Sequence, residues 1–325
     1  MNKKHILITG AAGMIGSGAV RHLNDLGMTN LLLVDDLGCS EKWKNLLGKQ
    51  FVDLLPIHKL FECLATNHSE IESVIHLGAC SDTTETNADY LLENNSRFTM
   101  KLCEWALMHK KRFIYASSAA TYGDGSMGFS DDEQRLSLLR PLNMYGFSKQ
   151  LVDLWLQQQN KLSKVVGLKY FNVFGPNEYH KGKMASMILK MTKKAQEEGV
   201  IELYQSNDPK YQHGGQCRDF LYVKDAVELT CNFLDPKFYH LCGIFNVGQG
   251  KASTWNELAA TLFLALGKTP QIEYIPLPSA LSKQYQNYTC ADMRKLQKVM
   301  PHTPKRIDES VKEYVQEYLV KEARW

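Results

Sequence analysis

Two short apolar runs, Ile6–Ile8 and Leu31–Val34, bracket a stretch in which Ile15, Ala19, Leu23 and Leu26 recur every three or four residues. An unbroken short apolar run suits a strand buried on both faces, whereas a period of 3.6 lays one stripe of a helix on a core. The chain therefore opens strand–helix–strand: a strand over His5–Thr9, a helix capped by Gly27, and a second strand that ends at Asp35. Residues 51–53, 71–77, 113–117 and 165–170 continue the series of strands, and helical patterns over 88–109 and 145–160 lie between them. Strand alternating with helix predicts an α/β fold built on a parallel sheet with helices on both faces.

After Pro176 the rhythm changes. Long polar stretches at 177–183 and 206–218 replace the short early loops. A helix over 222–234, a strand over 244–247 and a helix over 254–266 then read as core elements returning, and a helical rhythm over 307–320 closes the chain. The expected division is a parallel-sheet, Rossmann-type domain over residues 1–173, with returning elements near 220–248. Residues 174–325 would form a smaller, interleaved substrate region.

The first strand runs straight into Gly10-Ala11-Ala12-Gly13-Met14-Ile15-Gly16 and then a helix. One glycine allows the sharp turn, a second lets a pyrophosphate approach, and a third lets the helix pack close, while the helix N-terminus attracts negative charge. Three glycines alone could mark an ordinary turn. Their place directly after strand one, with Asp35 ending strand two, points to a dinucleotide site. Asp35 suits a ribose 2′-hydroxyl, yet Lys42 and Lys44 follow and could neutralise a 2′-phosphate, so these residues leave NAD and NADP open. The small residues Gly78, Ala79, Cys80 and Ser81 after Leu77 leave room for a cofactor. Asn94 and Asn95, unfavourable inside a helix, are expected to bond a loop or that cofactor.

Tyr145 and Lys149 are four residues apart on one predicted helix and share its face. An ammonium beside a phenol favours the phenolate, which would depress the Tyr145 pKa and give an acid/base for an alcohol or ketone. Most such pairs in proteins are surface neighbours without a role. Ser117 and Ser118, at the C-terminal end of the fifth strand, sharpen the functional reading, because active sites of such sheets lie along that edge.

Composition narrows the rest. The 38 Lys+Arg against 35 Asp+Glu give a net charge of +3 over 325 residues, with no basic stripe for nucleic acid. No apolar run approaches the roughly 20 residues that span a bilayer. Eight scattered cysteines and ten histidines show no metal-ligand spacing, so no metal is expected. Reduced thiols and a cytoplasmic setting are the expectation, since a chain with so large a core needs no disulfide staples.

Together, the glycine segment, Ser117-Ser118-Ala119, Tyr145-Gly146-Phe147-Ser148-Lys149 and Tyr170-Phe171-Asn172-Val173-Phe174-Gly175-Pro176 resemble the extended short-chain dehydrogenase/reductase superfamily. Three further segments are similar to a family within it that epimerises ADP-heptose at C6 for the lipopolysaccharide inner core. They are Gly78-Ala79-Cys80-Ser81-Asp82-Thr83-Thr84-Glu85, His180-Lys181-Gly182-Lys183-Met184-Ala185-Ser186 and Arg218-Asp219-Phe220-Leu221-Tyr222. The likeness runs over essentially the whole chain. It implies one tightly bound NADP per subunit, with NAD also accepted, and a homo-oligomer, in this family a pentamer.

By that resemblance Gly10, Ala11, Gly13, Met14, Ile15, Gly16, Asp35, Asp36 and Lys42 hold the adenosine and pyrophosphate of the cofactor. Leu77, Gly78, Ala79, Cys80, Ser81, Asn94, Lys149 and Val173 lie along the remainder. Tyr145 and Lys181 would be the two acid/bases, with Ser118 positioning the reacting oxygen. Asn172, Lys183, Lys190, Arg218 and Tyr285 would meet the sugar nucleotide. Lys183 and Lys190 depart from the family pattern, which has serine and histidine there, and Asp36 replaces an asparagine. Two rival readings are a nucleotide-sugar 4-epimerase and a non-catalytic NADP sensor. Dehydration is disfavoured, because superfamily dehydratases carry an Asp-Glu pair where this chain has Ala119-Ala120.

Overall fold

The computed structural model describes residues 4–279 and 285–325. Twelve strands run in chain order: β1 His5–Thr9, β2 Leu31–Val34, β3 Asp53–Leu55, β4 Ile71–His76, β5 Arg112–Ser118, β6 Val166–Tyr170, β7 Asn172–Phe174, β8 Ile201–Tyr204, β9 Cys217–Tyr222, β10 Gly243–Val247, β11 Ala252–Thr254 and β12 Ile272–Ile275. The helices are α1 Met14–Asp25, α2 Leu60–Asn67, α3 Ala88–Leu91, α4 Phe98–Met108, α5 Met144–Gln158, α6 Met187–Glu197, α7 Val223–Asn232, α8 Trp255–Ala265, α9 Arg294–Val299 and α10 Ile307–Glu313.

Seven strands form the main parallel sheet in the order β10-β6-β5-β4-β1-β2-β3. Every residue of β2, β6 and β10 is buried, which is why those segments read as apolar runs rather than alternating ones. The chain winds from β1 outward to β3, then returns to place β4 on the other side of β1. The reversal opens a crevice beyond the carboxyl ends of β1 and β4, the place where ligands bind in such sheets. Gly10 follows β1 and Gly78 closely follows β4, so both glycines face that crevice.

Beyond the main sheet, β7 pairs with β9 and β9 with β11, while β8 pairs with β12. These small sheets come from the chain after Tyr170. The strand expected at 51–53 lies two residues later, because Leu54 and Leu55 are the residues that pair with Leu33 and Val34. Tyr222 ends β9 instead of opening a helix, and α7 starts at Val223. The expected helix over 88–109 is interrupted by a π-helical turn, Leu92–Arg97, between α3 and α4. That turn holds Asn94 and Asn95, and such insertions often accompany functional sites. Among the described residues no helix is long and apolar enough to cross a membrane.

Candidate active site

A cleft of about 850 Å³ runs along the carboxyl ends of β1, β4 and β5 and under the small sheets. Its cofactor-sized end is made by backbone. Gly10 adopts φ +67°, and a Cβ there would stand 2.6 Å from the Gly78 nitrogen. A Cβ on Gly16 would lie 2.0 Å from the Gly10 carbonyl oxygen, so only glycine lets α1 pack this close to the turn. No side chain caps α1 at Gly13. The helix therefore presents its first N–H groups and positive dipole end toward the cleft, where Gly13, Met14, Ile15 and Gly16 line the wall. This cradle fits a dinucleotide pyrophosphate.

At the adenosine end, Asp35 Oδ2 accepts the Ala12 N–H at 2.8 Å, and Asp35 Oδ1 takes Lys42 Nζ at 2.6 Å. One carboxylate thus fixes the glycine turn and is neutralised by a lysine seven residues on. Asp36 also lines the cleft, with Oδ1 accepting the Ile57 N–H at 3.1 Å. Leu77, Gly78, Ala79, Cys80 and Ser81 form the facing wall, with Asn94 and Val173 beyond. Of the two asparagines, Asn95 is the one that ties down the loop. Its Oδ1 accepts from Cys80 N at 2.8 Å, its Nδ2 donates to Cys80 O at 3.0 Å and to Ser148 Oγ at 3.1 Å, and Asn94 faces the cleft.

Helix α5 carries Tyr145 and Lys149 into this cleft. Asn143 caps it, with Oδ1 accepting the Gly146 N–H at 2.8 Å. A Cβ at Gly146 would meet the Ala120 carbonyl oxygen at 2.7 Å, so this glycine lets α5 press against the turn after β5 and brings Tyr145 to Ser118. Ser118 lies beside the Tyr145 hydroxyl, close enough to lower its pKa, and Ser118 Oγ accepts the Ala120 N–H at 3.1 Å. Lys149 is buried and donates to the Ala116 carbonyl at 3.0 Å.

The pKa expected for Tyr145 needs correction. Burial raises the phenol above its usual value, with the neighbouring Ser118 opposing, and burial lowers Lys149 to about 8. Desolvation outweighs the attraction between neighbouring groups, and the Lys149 ammonium is spent on a β5 carbonyl. Tyr145 is thus held as a phenol.

Lys181 lines the same cleft from the short 3₁₀ segment Tyr179–Met184. Burial lowers its pKa, the nearby Lys190 adds to that, and Glu178 opposes. Its neighbour His180 is pushed down to about 4, chiefly by burial and then by Lys181 and Lys42, so it stays neutral. A phenol with a raised pKa and an amine with a lowered one, lining one cleft, are groups able to serve as acid and base.

At the substrate end Arg218, on β9, is buried with its guanidinium 5.1 Å from the Tyr285 ring and 5.7 Å from the Trp255 ring. Its sequence neighbours point elsewhere: Asp219 accepts N–H groups of Gln249, Gly250 and Ala291, and Asp225 accepts that of Lys305. Stacked between rings and free of a carboxylate clamp, Arg218 suits a phosphate. Asn172 and Tyr285 line the same wall.

Three of the expected residues do not reach the cleft surface. Ala11 is buried behind the glycine turn, its space taken by packing. Lys183 lies at the rim, where Nζ pairs with Asp82 at 2.9 Å and donates to Thr84 at 3.0 Å, and Lys190 Nζ donates to the Lys183 carbonyl at 2.6 Å. Conversely, Tyr90, Gln286 and Thr289 line the cleft without any pattern in the sequence to mark them. Asn143 lines it too, and a capping side chain just before an apolar helical rhythm is the signal that could have marked it. Among the described residues no three or more His, Cys, Asp and Glu side chains group as a metal site would need.

Sheet and cleft together are those of an extended short-chain dehydrogenase/reductase. More particularly, residues 6–248 match the NAD dependent epimerase/dehydratase family, and the chain belongs to it. The chain is 47% identical over 316 residues to an ADP-L-glycero-D-manno-heptose-6-epimerase of Nitratidesulfovibrio vulgaris, covering 96% of this chain and 97% of that one. The crystal structure of the Helicobacter pylori ADP-L-glycero-D-manno-heptose-6-epimerase superposes with a TM-score of 0.80 at 28% identity, covering 97% of this chain and 96% of that one. A UDP-N-acetylglucosamine 4-epimerase of Methanobrevibacter ruminantium superposes equally well, with a TM-score of 0.81 at 24% identity and coverage of 99% and 100%. That last likeness is one of fold.

Proposed function

We propose that the chain inverts C6 of ADP-D-glycero-β-D-manno-heptose to give the L-glycero epimer, the heptose donor of the lipopolysaccharide inner core, with NADP retained through the cycle. The reading rests on near-half identity to an epimerase of that name over almost the whole chain. The meeting of Ser118, Tyr145, Lys149 and Lys181 in one cleft supports it. In this reading residues 1–173 with the returning elements hold the cofactor, and residues 174–325 chiefly hold the sugar nucleotide. A 4-epimerase would share the fold but give Lys181 no task.

A carbinol carbon with no adjacent carbonyl does not lose its C–H proton to a side chain at any useful rate. A nicotinamide dinucleotide, when bound, supplies reversible hydride exchange, by which the C6 carbinol becomes a planar ketone and is restored. The chain's own residues handle the proton and the geometry. Lys181, its amine favoured by burial, takes the hydroxyl proton from one side, and Tyr145, held as a phenol, returns a proton to the oxygen from the other. Ser118, lining the cleft beside Tyr145, orients that oxygen. The buried Lys149 supplies positive charge beside the phenol. Arg218 binds the diphosphate, so that only the exocyclic arm turns between the two half-reactions.

The experiment is incubation of the purified protein with ADP-D-glycero-β-D-manno-heptose in heavy water, read by NMR. The L-glycero product should appear without deuterium at C6, and UDP-hexoses should remain unchanged. Solvent deuterium at C6 would mean direct proton exchange and would sink the redox scheme; turnover of UDP-hexose alone would sink the substrate.

The NADP preference rests on Lys42. Paired with Asp35, it cancels a carboxylate that would otherwise repel a 2′-phosphate. Lys42→Ala should weaken NADP binding by about tenfold, the loss of one charge-assisted contact, and leave NAD within about twofold of its starting affinity by the same reasoning. Fluorescence titration with both cofactors reads this, and an equal loss for the two would refute the role given to Lys42. A pentameric assembly and a cytoplasmic setting belong to the same proposal; eight unpaired cysteines are in keeping with a reducing compartment.

A further inference from the structure

Behind the wall that carries Ser118 lies a pair of charges that the scheme above does not use. Asp153 stands one helical turn beyond Lys149 on α5, and Lys169 stands on β6. Both are fully buried, with Lys169 Nζ 2.8 Å from Asp153 Oδ2. Asp153 also accepts the Tyr115 hydroxyl on Oδ1 and the Ser117 hydroxyl on Oδ2, each at 2.8 Å. Lys169 donates to Thr121 Oγ1 at 2.6 Å, and Thr121 in turn donates to the Ser118 carbonyl at 2.8 Å.

A buried ion pair is a weak source of stability, because desolvating both charges offsets most of their attraction and an apolar pair of similar volume serves a core as well. What this pair does have is a grip on one short segment. Asp153 holds Ser117, the residue before Ser118, and Lys169 holds Thr121, three residues after it. Between Tyr115 and Ser117 lies Ala116, whose carbonyl receives Lys149 at 3.0 Å.

We propose that the Asp153–Lys169 pair is a positioning device for the reaction: it locks residues 115–121 from behind, so that Ser118 meets Tyr145 and the Ala116 carbonyl holds Lys149. The inference rests on the assignment of Ser118, Tyr145 and Lys149 to the proton-transfer site. Catalytic groups must be held to a fraction of an ångström, and a displacement of about 1 Å can cost on the order of a hundredfold in rate. The lock explains why charge is retained there when packing alone would not need it.

The test is steady-state epimerisation with substrate and NADP binding measured on the same preparations. Thr121→Val removes one hydroxyl at nearly constant volume, leaves both charges paired, and should fold. Its kcat should fall on the order of tenfold, as expected for a displaced catalytic group, while substrate KM and NADP affinity stay as in the wild type and the melting temperature falls only modestly, from the lost bonds of one buried hydroxyl. Thr121→Ser, which restores the hydroxyl, should recover the rate. Asp153→Asn should lower kcat further with the same pattern; should it fail to fold because Lys169 is left unpaired, the Thr121 variants decide alone. Wild-type kcat in Thr121→Val, or an equal loss in Thr121→Ser, overturns the proposal, as does a fall in melting temperature without a fall in kcat. Tyr145→Phe is run beside them. If it keeps full turnover, the catalytic assignment itself fails and the lock falls with it, whereas an inactive Tyr145→Phe beside a fully active Thr121→Val removes the lock alone.

Discussion

Replacing Tyr145 by phenylalanine is expected to lower epimerase turnover by about 10² to 10⁴, the range supplied by a positioned acid or base, while NADPH remains bound. The ring stays and only the hydroxyl goes, so the packing of α5 against the turn after β5 is preserved. What is lost is the phenol that burial holds protonated beside Ser118. In the proposed scheme the cofactor is held by the glycine turn, Asp35 and Lys149, none of which Tyr145 builds. The measurement is product formation by NMR together with the NADPH content of the purified variant. Near-wild-type turnover would remove Tyr145 from the mechanism, and loss of cofactor would show that it holds the nicotinamide end.

Lys181→Met should abolish net epimerisation to a similar degree, about 10² to 10⁴, but with a different signature. Methionine keeps the length and apolar stem and removes a charge that is already desolvated, so the fold should be unharmed. Glu178 keeps the Tyr314 hydroxyl at 2.9 Å and the Ser186 hydroxyl at 2.6 Å. The ionised minority form of Tyr145 could still take the proton of the L-glycero epimer, so a single turnover should slowly reduce bound NADP with that epimer and not with its partner. Oxidation of both epimers at the wild-type rate would refute a second acid/base. The pH dependence has the same origin. The base form of Lys181 grows as pH rises through its lowered pKa, and the Lys149 charge is lost above about 8. Activity should therefore rise as Lys181 loses its proton and fall as Lys149 loses its own.

The positions of the two groups show where sequence reasoning stopped. Tyr145 and Lys149 share a helix, and a spacing of four residues sets their common face. Lys181 stands alone in a polar loop, where spacing says nothing, and it was identified by resemblance alone. Its place in the same cleft as Tyr145 depends on the path of the chain after Phe174. There Glu178, fully buried, accepts from Gly175, Ser186 and Tyr314 and folds the 179–184 segment back over the cleft.

The shift of Tyr145 shows the same limit from the other side. A lysine one turn away predicts a depressed phenol, but the sign is set by desolvation, which no local pattern reports. Asn94 and Asn95 were visible as residues out of place in a helix. Which of them binds the loop was settled by the π-helical turn that rotates Asn95 toward Cys80 and Ser148.

By itself the sequence determined the alternation of strand and helix, the glycine turn at the first strand and the side chains able to move a proton, because these follow from periodicity and from local backbone freedom. Only the tertiary structure decided the reversal of strand order that opens the crevice, the wall each group occupies and the burial that sets its charge. Those depend on contacts between residues far apart in the chain: β1 beside β4, Lys169 against Asp153, and Tyr314 against Glu178 beside the Lys181 segment.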